Sequence, residues 1–120
     1  MKISEAIAQV NSLKPNTFSE TDKLTWLSRV DMQAKRELID THEGGKDFAG
    51  YTDTTPLDTE LLIPAPYDEC YIRYMEAQID YHNGEMSKYK NAMILFNTVY
   101  AAFGDWYNRT HKPKSGSWQF

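Results

Sequence analysis

Residues 85–110 read EMSKYKNAMILFNTVYAAFGDWYNRT, and this stretch decides the fold. Met86, Tyr89, Met93, Phe96, Tyr100, Phe103 and Tyr107 recur at alternating steps of three and four. That is an unbroken helical seam with a seven-residue period. At about 1.5 Å of rise per residue, the predicted helix is about 39 Å long. Ala92, Val99 and Trp106 widen the seam on one side, and Ile94, Leu95, Ala101 and Ala102 add apolar groups beyond it. A stripe this wide exceeds what one two-stranded contact buries, so the helix belongs to a bundle and carries a second apolar surface. Two readings of that surface stay open: more of the core, or a contact between subunits.

Working back along the chain, Asn83-Gly84 closes a third helix that starts near Pro66. Proline suits a first helical turn, and Asp68 and Glu69 there complement the positive end of the helix dipole. Tyr67, Tyr71, Tyr74, Gln78 and Tyr81 line one stripe of it, and Ile72, Met75, Ile79 and His82 the next. Before it, residues 46–66 hold Gly50, Pro56, Pro64 and Pro66 among Asp and Thr. They read as a long loop with a short strand or turn at Leu61-Leu62-Ile63. A loop of this length is unusual inside a small domain and is often functional. Leu61, Leu62 and Ile63 are costly to leave in water, so they dock on the bundle or on a partner.

A second helix opens at Ser19, with Asp22 three residues on in the manner of a capping box, and ends at His42 and Gly44-Gly45. Leu24, Leu27, Val30 or Asp31, Ala34 and Leu38 form its apolar face, and Lys23, Arg29, Lys35, Arg36 and Glu37 its wet face. The first helix runs from Ile3 to Leu13, with Ile3, Ile7, Val10 and Leu13 or Lys14 at helical spacing, until Pro15-Asn16 breaks it. The sequence thus predicts an all-α fold: a small bundle of about four helices over residues 1–111. A long loop, 46–66, separates helices 2 and 3, and an extended tail covers 112–120.

The tail reads His111-Lys112-Pro113-Lys114-Ser115-Gly116-Ser117-Trp118-Gln119-Phe120. Pro113 stops the helix, and Gly116 between two serines keeps the segment beyond it loose. Trp118 and Phe120 are large aromatics at i, i+2 spacing, a pattern an extended segment uses to place side chains in pockets. Docking on a neighbouring subunit, docking on the chain's own body and disorder are the three readings.

The chain's 120 residues make one domain's worth of sequence. With 41% apolar and 25% charged residues, it has the composition of a globular domain rather than a disordered one. The formal charge of −4 argues against a dedicated nucleic-acid binder. Residues 1–60 carry 7 basic and 11 acidic side chains, whereas residues 61–120 carry 6 of each. Beyond Asp105 there are only bases: Arg109, Lys112 and Lys114. The lone Cys70 rules out an intramolecular disulfide and reads as a small buried thiol. The eight tyrosines suit either a core or an interface. No stretch has the apolar length of a signal peptide or a membrane span, so no membrane partner is expected.

Catalytic, cofactor and metal sites are not expected. No glycine-rich phosphate loop is present, and one cysteine cannot supply a zinc pattern. Asp80 and His82 sit two apart on a helix and so point in different directions. Cys70 and His82 lie over three turns apart, too far for a nucleophile and its base. Glu69, Asp80 and Glu85 read as a solvated acidic face. An enzyme would need carboxylates converging from different helices.

The run Leu62-Ile63-Pro64-Ala65-Pro66-Tyr67-Asp68-Glu69 is followed by Tyr74-Met75-Glu76-Ala77-Gln78-Ile79-Asp80-Tyr81-His82-Asn83-Gly84-Glu85. Next come Tyr89, Asn91, Phe96-Asn97, Tyr100 and Phe103, then Trp106-Tyr107-Asn108-Arg109-Thr110-His111. This pattern, over about residues 60–113, resembles small head–tail connector (adaptor) proteins of tailed bacteriophages and prophages of Gram-positive bacteria. The first half of the chain matches only in general form, and no motif in the pattern is catalytic. The resemblance implies a helical bundle that forms a homo-oligomeric ring beneath the portal protein. Tail completion or stopper proteins dock below, and the ring extends the channel through which DNA passes without specific binding. It implies a protein made in the host cytoplasm and resident in the neck of the virion. Terminal and loop segments of such proteins reach the portal or adjacent subunits.

A ring needs two different patches on each subunit. The residues offered for these contacts are Leu61, Leu62, Ile63, Tyr71, Tyr74, Ile94, Leu95, Lys112, Lys114, Trp118 and Phe120. Lys112 and Lys114 suit an acidic portal surface, and an acidic body suits a channel along which DNA must slide. The alternatives are another phage morphogenesis part, such as a stopper or tail completion protein, and a small helical regulator that binds a host protein.

Overall fold

The computed structural model of the chain describes residues 1–45 and 47–114. The described part is an all-α bundle of four helices: α1 (Ile3–Leu13), α2 (Glu20–Ala34), α3 (Glu69–His82) and α4 (Met86–Thr110). Among the described residues there is no strand, only isolated bridges pairing Lys2 with Glu60 and His42 with Pro113.

Local chemistry sets the helix ends. At α2, the Asp22 N–H donates to Ser19 Oγ at 3.0 Å while the Ser19 N–H donates to Asp22 Oδ2 at 3.4 Å, so each satisfies an otherwise orphaned donor. The last turn of α2 does not stop at Ala34. Residues Lys35–Ile39 widen into a π-helical turn, closed by the Asp40 N–H on the Lys35 carbonyl at 2.8 Å. Lys35 Nζ pairs with the Asp40 carboxylate across this turn at 3.0 Å. Helix α3 starts at Glu69, three residues later than Pro66 predicts, because Pro64–Tyr67 forms a tight turn with the Tyr67 N–H on the Pro64 carbonyl at 2.9 Å. Gly84, with φ at +75°, lets α3 reverse into α4 within three residues.

The molecule is a slab of 46 × 33 × 20 Å. A helix with its side chains is about 10–12 Å across, so the thin dimension holds two layers. Helix α3 is central: it touches α1, α2 and α4. Helix α4 packs along α3 and against the π turn, and among the described residues it makes no packing contact with α1 or α2. The core gathers Ile3, Ala6 and Val10 from α1, Leu24, Leu27 and Val30 from α2, and Tyr71, Ile72, Met75 and Ile79 from α3. Phe96, Phe103 and Tyr107 from α4 complete it, together with Leu61 and Ile63 from the long loop.

Two assignments from the sequence are corrected here. Lys23 belongs to the interior: its stem is buried and its Nζ donates to the Phe18 carbonyl at 2.9 Å, and burial lowers its pKa. Asp80 is not on a solvated face. It is buried and pairs with Lys14 Nζ at 2.5 Å, joining the ends of α1 and α3. Lys14 therefore turns inward where Leu13, its neighbour, is exposed.

Candidate functional site

Three features stand out, and the first lies inside. Asp31 is 0% exposed on α2. Its carboxylate accepts from the Tyr71 phenol at 2.5 Å, from the Tyr51 phenol, and from the Leu62 N–H at 3.2 Å. The Tyr71 oxygen in turn accepts from the Ile63 N–H at 2.7 Å. Burial pushes the Asp31 carboxyl above the usual range, and the donated hydrogen bonds oppose that rise. Burial also pushes both phenols up, with the neighbouring Asp31 adding to it, so they remain neutral donors. The Cys70 thiol is raised by the same burial. This knot ties both ends of the ordered loop, at Tyr51 and at Leu62–Ile63, to α2 and α3. A carboxylate with each of its oxygens already bonded serves as a clasp.

The second feature is a cleft of about 370 Å³ between the loop and the C-terminal end of α4. Leu61, Leu62 and Pro64 form one wall, Phe103, Trp106 and Tyr107 the other, and Gly44 and Gly45 border it. Its aromatic wall is ordered by stacking. The His111 ring lies flat on Tyr107, with centroids 3.7 Å apart and planes 3° apart, and Trp106 meets His111 edge-on at 5.9 Å. His42 fixes the other side of Tyr107, edge-on at 5.0 Å, with its Nδ1 donating to the Leu38 carbonyl at 2.6 Å.

The third feature is the outward face of α4. Ile94 is 62% exposed and Leu95 47%, and Ala101 and Ala102 are exposed with them. Thr98 lies among them, its hydroxyl turned back onto the Ile94 carbonyl at 2.9 Å. The apolar surface beyond the helical seam is therefore not core.

Of the residues singled out from the sequence, Leu61, Ile63 and Tyr71 are corrected: all three are buried in the chain's own core. Leu61 and Ile63 fill the gap beside α3, and the Tyr71 hydroxyl is needed by Asp31. Leu62 is half-buried and lines the cleft. Tyr74 is half-buried too, its ring tilted against Phe96 at 5.3 Å. Ile94 and Leu95 stand together on the outward face of α4. Lys112 and Lys114 do not begin a loose tail: the Glu43 N–H donates to the Lys112 carbonyl at 2.8 Å, and the Lys114 N–H to the Thr41 carbonyl at 3.0 Å. Trp118 and Phe120 lie outside the described residues.

Sequence reasoning missed the Asp31 knot, because Tyr51 and Tyr71 are 20 and 40 residues away from it. It also missed the cleft, for which the only local signal was Tyr107 and His111 one turn apart. Among the described residues, no three His, Cys, Asp or Glu side chains converge as a metal site requires, and no helix is long and apolar enough to cross a membrane. The chain matches no protein-family model, no curated protein and no solved structure. What stands is the class that the fold defines: a small all-α bundle with a buried polar clasp, an aromatic cleft and one apolar helix face turned to solvent.

Proposed function

We propose that this chain is a structural part of a tailed-phage particle, a head–tail connector whose copies join into a ring beneath the portal and extend the DNA channel. The observation that carries the reading is the outward face of α4. Ile94 and Leu95 lie in water in the single chain, on a helix whose other side packs on α3 and the π turn. A contiguous apolar strip of this kind marks an interaction surface. A ring requires a second, different patch on each subunit. Leu13 on α1 and Met32 on α2 are exposed on helices that α4 does not touch among the described residues, so apolar groups are available away from α4. The likeness of residues 60–113 to phage connectors falls on α3 and α4, and α4 carries this strip. The acidic balance of residues 1–60 suits a body past which DNA slides without sticking.

The test is negative-stain electron microscopy of the purified protein at high concentration, with mass photometry of the same sample. Closed rings with a central hole, at a mass that is a whole multiple of 13.9 kDa, are the expected result. A monomer at every concentration, with or without a portal template, would overturn the reading.

A further inference from the structure

The exposed strip of α4 has an internal order. Its two bulky residues, Ile94 and Leu95, come first, its two small ones, Ala101 and Ala102, come last, and Thr98 lies midway between them. All five are exposed. At about 100° of turn per residue, Thr98 falls on the midline of the strip, Ile94 and Ala101 on one edge, and Leu95 and Ala102 on the other. Polar groups continue the order. Asn91 and Asp105 stand seven residues to either side of Thr98, close to the midline, and Lys90 lies beside Asn91 on the Ile94 edge. Asp105 is the one acid of α4, and among the described residues neither Asp105 nor Lys90 has an ion-pair or hydrogen-bond partner.

We infer that, away from any ring, two copies of this chain close α4 against α4, antiparallel, about a two-fold axis at Thr98. Such an axis keeps each edge of the strip on its own side and reverses its direction. Ile94 then meets Ala101 of the second copy, and Leu95 meets its Ala102, so each bulky side chain fills the space above a small one. Asn91 comes level with Asp105 of the second copy and can donate to its carboxylate. Lys90 lies about 12 Å from the axis and Asp105 about 11 Å, so the ammonium reaches the same carboxylate. Each pairing occurs twice, and the charges that the single chain leaves unpartnered are matched at both ends of the strip. A parallel pairing does the reverse. It sets Ile94 and Leu95 on their own counterparts, leaves a gap between the alanines, and opposes Asp105 to Asp105, which repel. The antiparallel contact is closed, because each copy uses up the same patch. It therefore builds a dimer and not a ring, and a copy held in it is withheld from the ring until the dimer opens. The inference stands on α4 alone and does not rest on the ring.

The test is disulfide cross-linking of single introduced cysteines in the full chain under mild oxidation. Native Cys70 is buried, and burial raises its thiol pKa, so the wild type is the control that forms no cross-link. Thr98→Cys, on the axis, should give a disulfide-linked species of twice 13.9 kDa. Asn91→Cys should give none, because its two copies stand about 21 Å apart and a disulfide needs Cα atoms within about 7 Å. A cross-link at Asn91→Cys, as a parallel pair gives, overturns the inference, and so does the lack of one at Thr98→Cys. Sedimentation then reads the charges. Lys90→Glu and Asp105→Lys should each weaken the dimer about tenfold. Lys90→Glu/Asp105→Lys, which restores the pair in reverse, should recover the wild-type affinity. A double variant no tighter than the single ones overturns the register. Rings in the microscope without a Thr98→Cys cross-link overturn this inference alone. A cross-linked dimer that never yields rings, with or without a portal template, overturns the ring alone.

Discussion

The interior around Asp31 and the outer face of α4 handle exposed chemistry in opposite ways. At Asp31 a charge-bearing group is taken out of water and surrounded by donors from three separate parts of the chain. Among the described residues, no buried side-chain nitrogen or oxygen is left without a partner. On α4, apolar groups are left in water although Phe96, Phe103 and Tyr107 on the opposite side of the same helix are buried. The chain satisfies its difficult buried group yet leaves Ile94 and Leu95 bare, and under the proposed function that face is kept for a contact outside the single chain.

This contrast can be broken or sharpened by substitution. The largest effect is expected at the clasp. Asp31→Ala strands two phenols and the Leu62 N–H, and at roughly 1–3 kcal/mol for each unsatisfied buried group the loss is about 4 kcal/mol, measured by urea unfolding. A loss under about 1 kcal/mol would mean that the loop does not depend on the knot.

The second effect is at the pair joining α1 to α3. Lys14→Met leaves Asp80 buried without its partner and should cost about 3 kcal/mol. Adding Asp80→Leu should recover most of that loss, because the uncompensated charge goes with it. A double variant no better than the single one would show that packing, not charge, governs the site.

The pH dependence of Asp31 comes next. Its folded-state pKa lies above its ordinary value of 3.8, so between the two values the folded chain holds a proton that the unfolded chain has lost. The contribution is therefore fully present below about pH 3.8 and is lost as pH rises through the folded value, at up to about 1.4 kcal/mol per pH unit. The stability difference between wild type and Asp31→Asn, followed by urea unfolding from pH 4 to 7, should shift against the wild type as pH rises. A flat difference would contradict the assignment. The smallest loss belongs to the helix cap: Ser19→Ala should lower stability by about 1 kcal/mol through the Asp22 N–H it strands, seen as a drop in Tm.

Much of this was legible beforehand. The bounds of α1, the Ser19–Asp22 cap and the length of α4 follow from local pattern alone, since spacing, caps and the Asn-Gly stop act within a few residues. The seven-residue seam of α4 placed Phe96, Phe103 and Tyr107 in the core, but Met86 at its start stays exposed, because α3 ends before it can cover that turn. Long-range convergence was not legible. Val30 and Asp31 compete for one face in the sequence, and only the meeting of Tyr51, Tyr71 and Leu62 makes a buried Asp31 tolerable. Lys23 looked wet for a related reason: a lysine can bury its stem whenever one carbonyl, here that of Phe18, waits at its tip. The two open readings of the second α4 surface also differ only in tertiary contacts, and the structure leaves Ile94 and Leu95 outside the core.

The most direct measurement of the central claim is sedimentation velocity on the wild type and on Ile94→Asp/Leu95→Asp, with a melting curve for each. The account predicts that the wild type assembles with rising concentration, and that the double variant remains a monomer with an unfolding free energy within about 0.5 kcal/mol of the wild type. A double variant that assembles like the wild type would contradict it, since the bare face of α4 would then join nothing.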